Sequence, residues 1–269
     1  MHAPFVAASI KIERSKRHLQ ELEREMSSYF ARGGAKIVVE RDDEMIAGMG
    51  YGEFCAFKYR ESEPVPSEWS AVIGDAIHNM RSSLDLMASD IHRITGGKPE
   101  DTQYVHFPFC KDRHGLADMI RSRRLSGIGR DFLDAIHAIA PYRGGNDGLR
   151  ALHDLDVMDK HQALLPTLSV AAIPWPTPVD PKTSPPDFRT PLTIDGQRLF
   201  IMPRPLCQIP YGTQIQAEFL VIFDVGAFRG SPVVEQLTAC LRSVEAILSR
   251  FQSIASERES KSGIGSINP

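Results

Sequence analysis

The chain has 269 residues, 42% of them hydrophobic and 24% charged, with a formal net charge of −3. That length is enough to bury a large core, and a near-neutral balance excludes a protein that coats polyanions, so any nucleic-acid contact must come from a local patch. The four cysteines, Cys55, Cys110, Cys207 and Cys240, are widely scattered with no C-x-x-C pair, which excludes a zinc framework and fits buried thiols in a reducing compartment.

The opening stretch "MHAPFVAASIKIERSKR" lacks a leading positive region, and its short apolar run is broken at Lys11, unlike a secretory signal. No segment reaches the roughly 18 continuous apolar residues of a membrane span, and a cytoplasmic location is expected. From Val6 to Phe30 the apolar residues Ile12, Leu19, Leu22, Met26 and Tyr29 recur at threes and fours, the pattern of an amphipathic helix stopped by Gly33 and Gly34. The segment from Ala35 to Glu61 alternates β-branched and aromatic residues with polar ones around a turn-rich middle, which predicts a β-hairpin.

The strongest helix signal runs from Ser67 to Thr95, with Ser67 as N-cap and "GGKP" as its stop. Its stripe of Ile73, Ile77, Met80, Leu84, Met87, Ile91 and Ile94 places it at the centre of the core. Further helices are expected at Arg113 to Arg124, Arg130 to Ile139, and Asn146 to about Leu164. The segment "PWPTPVDPKTSPPDFRTP" then holds seven of the nineteen prolines, which predicts an exposed loop or flap. Strands are expected on either side of it, in "LLPTLSVAAI", "PLTIDGQRLFIM" and "GTQIQAEFLVIFDV". A closing helix follows Ser231 and Pro232, with the stripe Val233, Leu237, Cys240, Val244, Ile247, Phe251 and Ile254.

The fold class expected is α+β: a helical bundle around one long central helix, with a small antiparallel sheet and a C-terminal helix. A single domain over 1–255 is expected, with its helical part at 67–164, strands at about 35–60 and 164–225, the closing helix at 231–254, and a disordered tail over 256–269.

At 100° per residue, Gly74, His78, Arg81, Asp85, Ala88 and His92 form a second column beside the apolar stripe of the central helix. The small residues Gly74 and Ala88 would let another helix approach closely. A buried charge must be paired, and Arg81 can reach Asp85 one turn on. A second polar cluster, "LHDLDVMDKHQALL", crowds His153, Asp154, Asp156, Asp159, Lys160 and His161 at one helix end.

The blocks "PSEWSAVIGDAIHNMRSSLD", "HFPF", "APY" and "LRALHDLDVMDKH" resemble a family of uncharacterised bacterial proteins whose members carry an IGDxxHNxRSxLD helix and a later DKH. The resemblance covers about Pro64 to His161. Leu86 stands where that family's helix carries a histidine. The resemblance implies that His78, Asn79, Arg81, Asp85, Asp159, Lys160 and His161 belong together, and it implies no activity.

His78 and Asp85 lie about 10 Å apart along the helix, too far to ligate one ion, so no metal and no cofactor are expected. The residue types suit a phosphate site instead. Arg81 and Lys160 can neutralise oxygens, Asp85 can orient Arg81 or His78, and His78 and His161 can exchange protons near neutral pH. Asn79 and Asp159 complete the binding set. The Arg130 to His137 spacing matches the motif of helical nucleases of the HEPN group, an Arg and a His separated by four to six residues, but such spacings arise readily by chance. No G-x-S-x-G, P-loop or G-x-G-x-x-G is present, so neither a serine elbow nor nucleotide-dependent chemistry is indicated.

The sequence therefore points to a site that binds or cleaves a phosphate-containing ligand, with RNA as one candidate and self-association left open. The alternative is a non-catalytic structural or interaction module in which the same residues form a buried polar network.

Overall fold

The computed structural model describes residues 3–49, 52–162, 164–173 and 191–264. In chain order the elements are helix α1 (Val6–Ala31), strand β1 (Ala35–Arg41), helix α2 (Asp43–Met49), strand β2 (Phe54–Glu61), helix α3 (Glu68–Ile94), a 3₁₀ turn (Pro99–Tyr104), and helices α4 (Leu116–Ser122), α5 (Arg130–Ile139) and α6 (Asp147–Asp159). Strands β3 (Pro166–Ala172), β4 (Pro191–Leu192), β5 (Arg198–Pro203), β6 (Gln214–Ile215) and β7 (Glu218–Phe223) follow, and helix α7 (Val233–Ile264) closes the chain. The class is α+β, with the long helices α1, α3 and α7 packed together and two small antiparallel sheets. No helix among the described residues is long and apolar enough to cross a membrane.

The chain divides into two compact units. The first takes residues 1–21, 70–164 and 234–269 and is helical. Its core is built on the stripes read from sequence. On α3, Ile73, Ile77, Met80, Leu84, Met87 and Ile91 are buried, and on α7 so are Leu237, Cys240, Val244, Ile247, Phe251 and Ile254. Polar contacts between helices fix their register. Ser15 Oγ on α1 donates to the Ala76 carbonyl at 2.9 Å, and Asp90 Oδ2 accepts the Phe5 amide at 2.6 Å. Arg258 on α7 pairs with Asp131 on α5 and covers the Phe132 ring, which itself meets Phe251 edge-on at 5.9 Å.

The second unit takes residues 22–69 and 165–233. One of its sheets has the order β5-β2-β1-β6 and the other β4-β3-β7. The early hairpin pairs Ala35 with Glu61 through to Arg41 with Cys55. Late strands flank it as expected, but they divide between two sheets where the sequence suggested one. The stretch from Gly212 to Val225 read as a single strand. It breaks into β6, which pairs with β1, and β7, which pairs with β3.

The turn-rich middle of the hairpin forms α2. Asp42 caps it, with Oδ1 accepting the Met45 amide at 2.9 Å, and Asp43 and Glu44 sit in the first turn where the helix dipole favours acids. Asp42 is itself buried and paired with Arg198 Nε at 3.1 Å. Tyr29 and Trp69 pack edge to face at 5.4 Å, and the Tyr29 hydroxyl donates to the Glu63 carbonyl at 2.8 Å. Gly34 is required beside them, because a Cβ there would lie 2.4 Å from the buried Tyr29 ring.

Two boundaries differ from expectation. Helix α6 ends at Asp159 and not near Leu164, and α7 runs on to Ile264, so residues 256–264 are helical where a disordered tail was expected. The proline-rich segment expected as a loop or flap lies, except for Pro191, outside the described residues. Because Leu84 is fully buried at the middle of α3, Leu84→Ala should lower the unfolding free energy by about 2–5 kcal/mol, measured as a lower urea midpoint with an unchanged m-value.

Candidate functional site

The two polar clusters meet within the helical unit, where the α3 column faces the C-terminal part of α6. Gly74 makes the approach possible. A Cβ on it would lie 2.5 Å from Asp159 Oδ2, so the carboxylate occupies the space a side chain would fill. One helical turn along, Asp156 is buried, its side chain only 5% exposed. Its Oδ1 lies 3.0 Å from His78 Nδ1, and its Oδ2 accepts from Lys160 Nζ at 2.7 Å. A carboxylate can only accept, so Nδ1 of His78 carries the proton, and in the neutral ring Nε2 is left as an acceptor. That nitrogen lies 3.2 Å from the Ser82 hydroxyl, one turn further along α3. Both partners of Asp156 reach solvent, His78 with 53% and Lys160 with 56% of the side chain exposed.

Arg81 turns the other way. Its side chain is 10% exposed, and its guanidinium stacks over Phe109 at 4.6 Å from the ring centroid. Nε donates to His153 Nδ1 at 3.1 Å, while Nη1 pairs with Asp85 Oδ1 at 2.6 Å, an ionic contact off the hydrogen-bond direction. The His153 ring stacks on the other partner of Arg81, Phe109, at 4.6 Å and 11° between planes. Burial, followed by the nearby charges of Arg81 and Arg150, pushes the His153 pKa down to about 4, in keeping with the lone pair that it offers to Arg81.

Asp85 serves three groups. Besides Arg81, its Oδ1 accepts the Phe107 amide at 2.7 Å and its Oδ2 lies 3.5 Å from His106 Nδ1. His106 therefore stands beside α3 at the half-exposed rim, carried by the "HFPF" segment.

The sequence-derived set is thus partly assembled. His78 and Lys160 share Asp156, and Arg81 pairs with Asp85. Asp159 lies against Gly74, where burial, then the charges of Asp156 and Asp75, raise its pKa. Asn79 is buried and donates to the Asp75 carbonyl at 2.8 Å, a bond within its own helix. His161 is exposed, and its side chain makes no hydrogen bond or ion pair with the described residues. Three residues of the cluster carry contacts for which sequence assigned them no role. Asp156 and His153 belong to the second polar cluster, four residues before Lys160 and three before Asp156 respectively, and His106 begins the "HFPF" segment.

Among the described residues no group of three or more His, Cys, Asp or Glu side chains comes together to hold a metal ion. What the cluster offers chemically is two carboxylate-held histidines with a lysine, at a surface whose inner wall is a buried ion pair. Compared with known protein families, curated proteins and solved structures, the chain matches none.

The depressed His153 pKa has a definite sign. Protonation favours the unfolded chain, where the ring titrates near its ordinary 6.5, so the stability carried by the neutral ring is complete above about 6.5 and is lost as pH falls towards 4. An NMR titration should place the His153 midpoint near 4, and the stability difference between wild type and His153→Gln should shrink as pH falls through that window.

Proposed function

We propose that the α3–α6 cluster is a metal-independent acid–base site for a phosphate ester, with RNA as one candidate substrate. The observation that supports this most is the buried Asp156 holding His78 and Lys160 together at solvent-reachable positions. Burying that carboxylate is costly unless it is paired, and its two partners are the residue types that move protons and neutralise phosphate oxygens near neutral pH.

In this reading the roles shift from those expected from sequence. His78, oriented by Asp156, is the base. The second proton-exchanging group is His106, held by Asp85, in the place assigned to His161. Lys160 meets the anionic oxygens. Arg81, already engaged by Asp85, His153 and Phe109, positions Asp85 and does not touch the ligand. The bacterial family with the IGDxxHNxRSxLD helix remains the proposed kinship of the chain.

That enclosure of Arg81 also favours a second reading, a non-catalytic network that sets the register of α3 against α6. The two separate on a labelled RNA oligonucleotide incubated with excess chelator. Under the acid–base reading the RNA is cleaved, and His78→Ala and His106→Ala each lower kcat by about 10²–10⁴-fold with the circular dichroism unchanged. Lys160→Ala acts mainly on KM. Absence of cleavage, together with imidazole resonances of His78 and His106 unmoved by millimolar inorganic phosphate, would leave only the structural network.

A further inference from the structure

Two contacts of His78 form a relay that the acid–base reading does not require. Asp156 Oδ1 holds Nδ1 at 3.0 Å, and Nε2 faces Ser82 Oγ at 3.2 Å. A serine hydroxyl, an imidazole and a buried carboxylate linked in that order are the parts of an activated oxygen nucleophile, recognised by geometry and not by sequence order. Here two members come from one helix at i and i+4, so no strand-to-helix elbow is needed, and no G-x-S-x-G could have signalled it.

Ser82 is also flanked on its far side. Residues 78, 82 and 85 lie within about 60° of one another around α3, so the hydroxyl stands between the Asp156–His78 pair and the Asp85–His106 pair on one face of the helix.

We propose that Ser82 is a nucleophile, activated by His78 and Asp156, toward phosphodiesters that lack a hydroxyl next to phosphorus. This rests on the phosphate-ester reading of the same site and names its substrate class. In the first step the Ser82 Oγ–P bond forms while the bond from phosphorus to the leaving oxygen breaks. The serine proton passes to His78 Nε2, and the leaving oxygen takes a proton from His106. In the second step water attacks the seryl phosphoester, gives one proton to His106, and Ser82 regains its own from His78. No oxidant or cofactor enters the balance.

The probe is bis(p-nitrophenyl) phosphate with chelator present. It has no internal nucleophile, so its cleavage needs one from the protein or from water. The expected result is a burst of one p-nitrophenolate per chain, with a phosphoryl adduct located on Ser82 by mass spectrometry. A fluorophosphonate should label the same oxygen with loss of fluoride. Ser82→Ala, a small change at a partly exposed position, should abolish burst and label and lower turnover by about 10³-fold or more. Asp156→Asn should lower the burst rate without changing the probe concentration that half-saturates it, and should remove the downfield Nδ1–H resonance of His78.

Turnover by Ser82→Ala at the wild-type rate, or turnover without an adduct on Ser82, overturns the proposal. So does the absence of both turnover and fluorophosphonate labelling. The phosphate-ester reading is judged separately, because RNA supplies its own 2′-hydroxyl: chelator-resistant RNA cleavage that survives Ser82→Ala keeps that reading while the serine proposal falls.

Discussion

The buried carboxylate of Asp156 is the constraint on which the polar architecture of the helical unit depends. Removing a carboxylate from water costs several kcal/mol unless charge-assisted hydrogen bonds replace its hydration, and here His78 from α3 and Lys160 from the end of α6 supply them. Lys160 reaches Asp156 from the same helix end, so His78 is the partner that ties the carboxylate to α3 and favours one register of α3 against α6. The same register brings Arg81 under His153 and sets Asp159 into the notch at Gly74. A one-turn slip would break the His78–Asp156 and Arg81–His153 contacts together, which is why the contact specifies an arrangement more than it adds stability.

The helical half of this arrangement was legible in the sequence, because a 3.6-residue period records directly which face is buried. The stripes on α3 and α7 are the observed core, and α5 begins and ends where its periodicity does. Even the close approach at Gly74 could be read, since a glycine in a polar column has few reasons to be there other than a neighbour. The sheets were less legible. Alternation tells which side of a strand is buried and says nothing about its partner, so the continuous pattern from Gly212 to Val225 concealed a change of sheet at Gln216 and Ala217. The end of α7 was missed for a different reason. Its last turns are polar and carry no stripe, but they continue an established helix, and propagation costs far less than nucleation.

Within the site, sequence located the two helices that meet and misjudged which residues meet on them. Charge type identified Arg81, yet the aromatic residue that covers it, Phe109, comes from a segment with no regular period. That ring and His153 hold the guanidinium inward, and with it the role that sequence assigned to Arg81 changes. His106 arrives on the same segment. His161 followed Lys160 in the motif, but the helix stops at Asp159, so the two adjacent residues diverge and only Lys160 folds back onto Asp156.

The division between buried and exposed members decides how far a purely structural account extends. Arg81 and Asp156 are buried, and Arg81 is held by His153 and Asp85, as a register-setting network demands. His78, Ser82, Lys160 and His106 are not enclosed, and for exposed groups the contribution of an ion pair to stability is small. Register alone would be served as well by a lysine in place of His78, since a point charge pairs with Asp156 without needing a defined ring plane. What a lysine could not do is hold a second nitrogen, with an open lone pair, against the hydroxyl of the next turn. The imidazole at position 78 thus has one nitrogen that ties α3 to α6 through Asp156 and a second, at the Ser82 hydroxyl, for which the contact between the helices has no need.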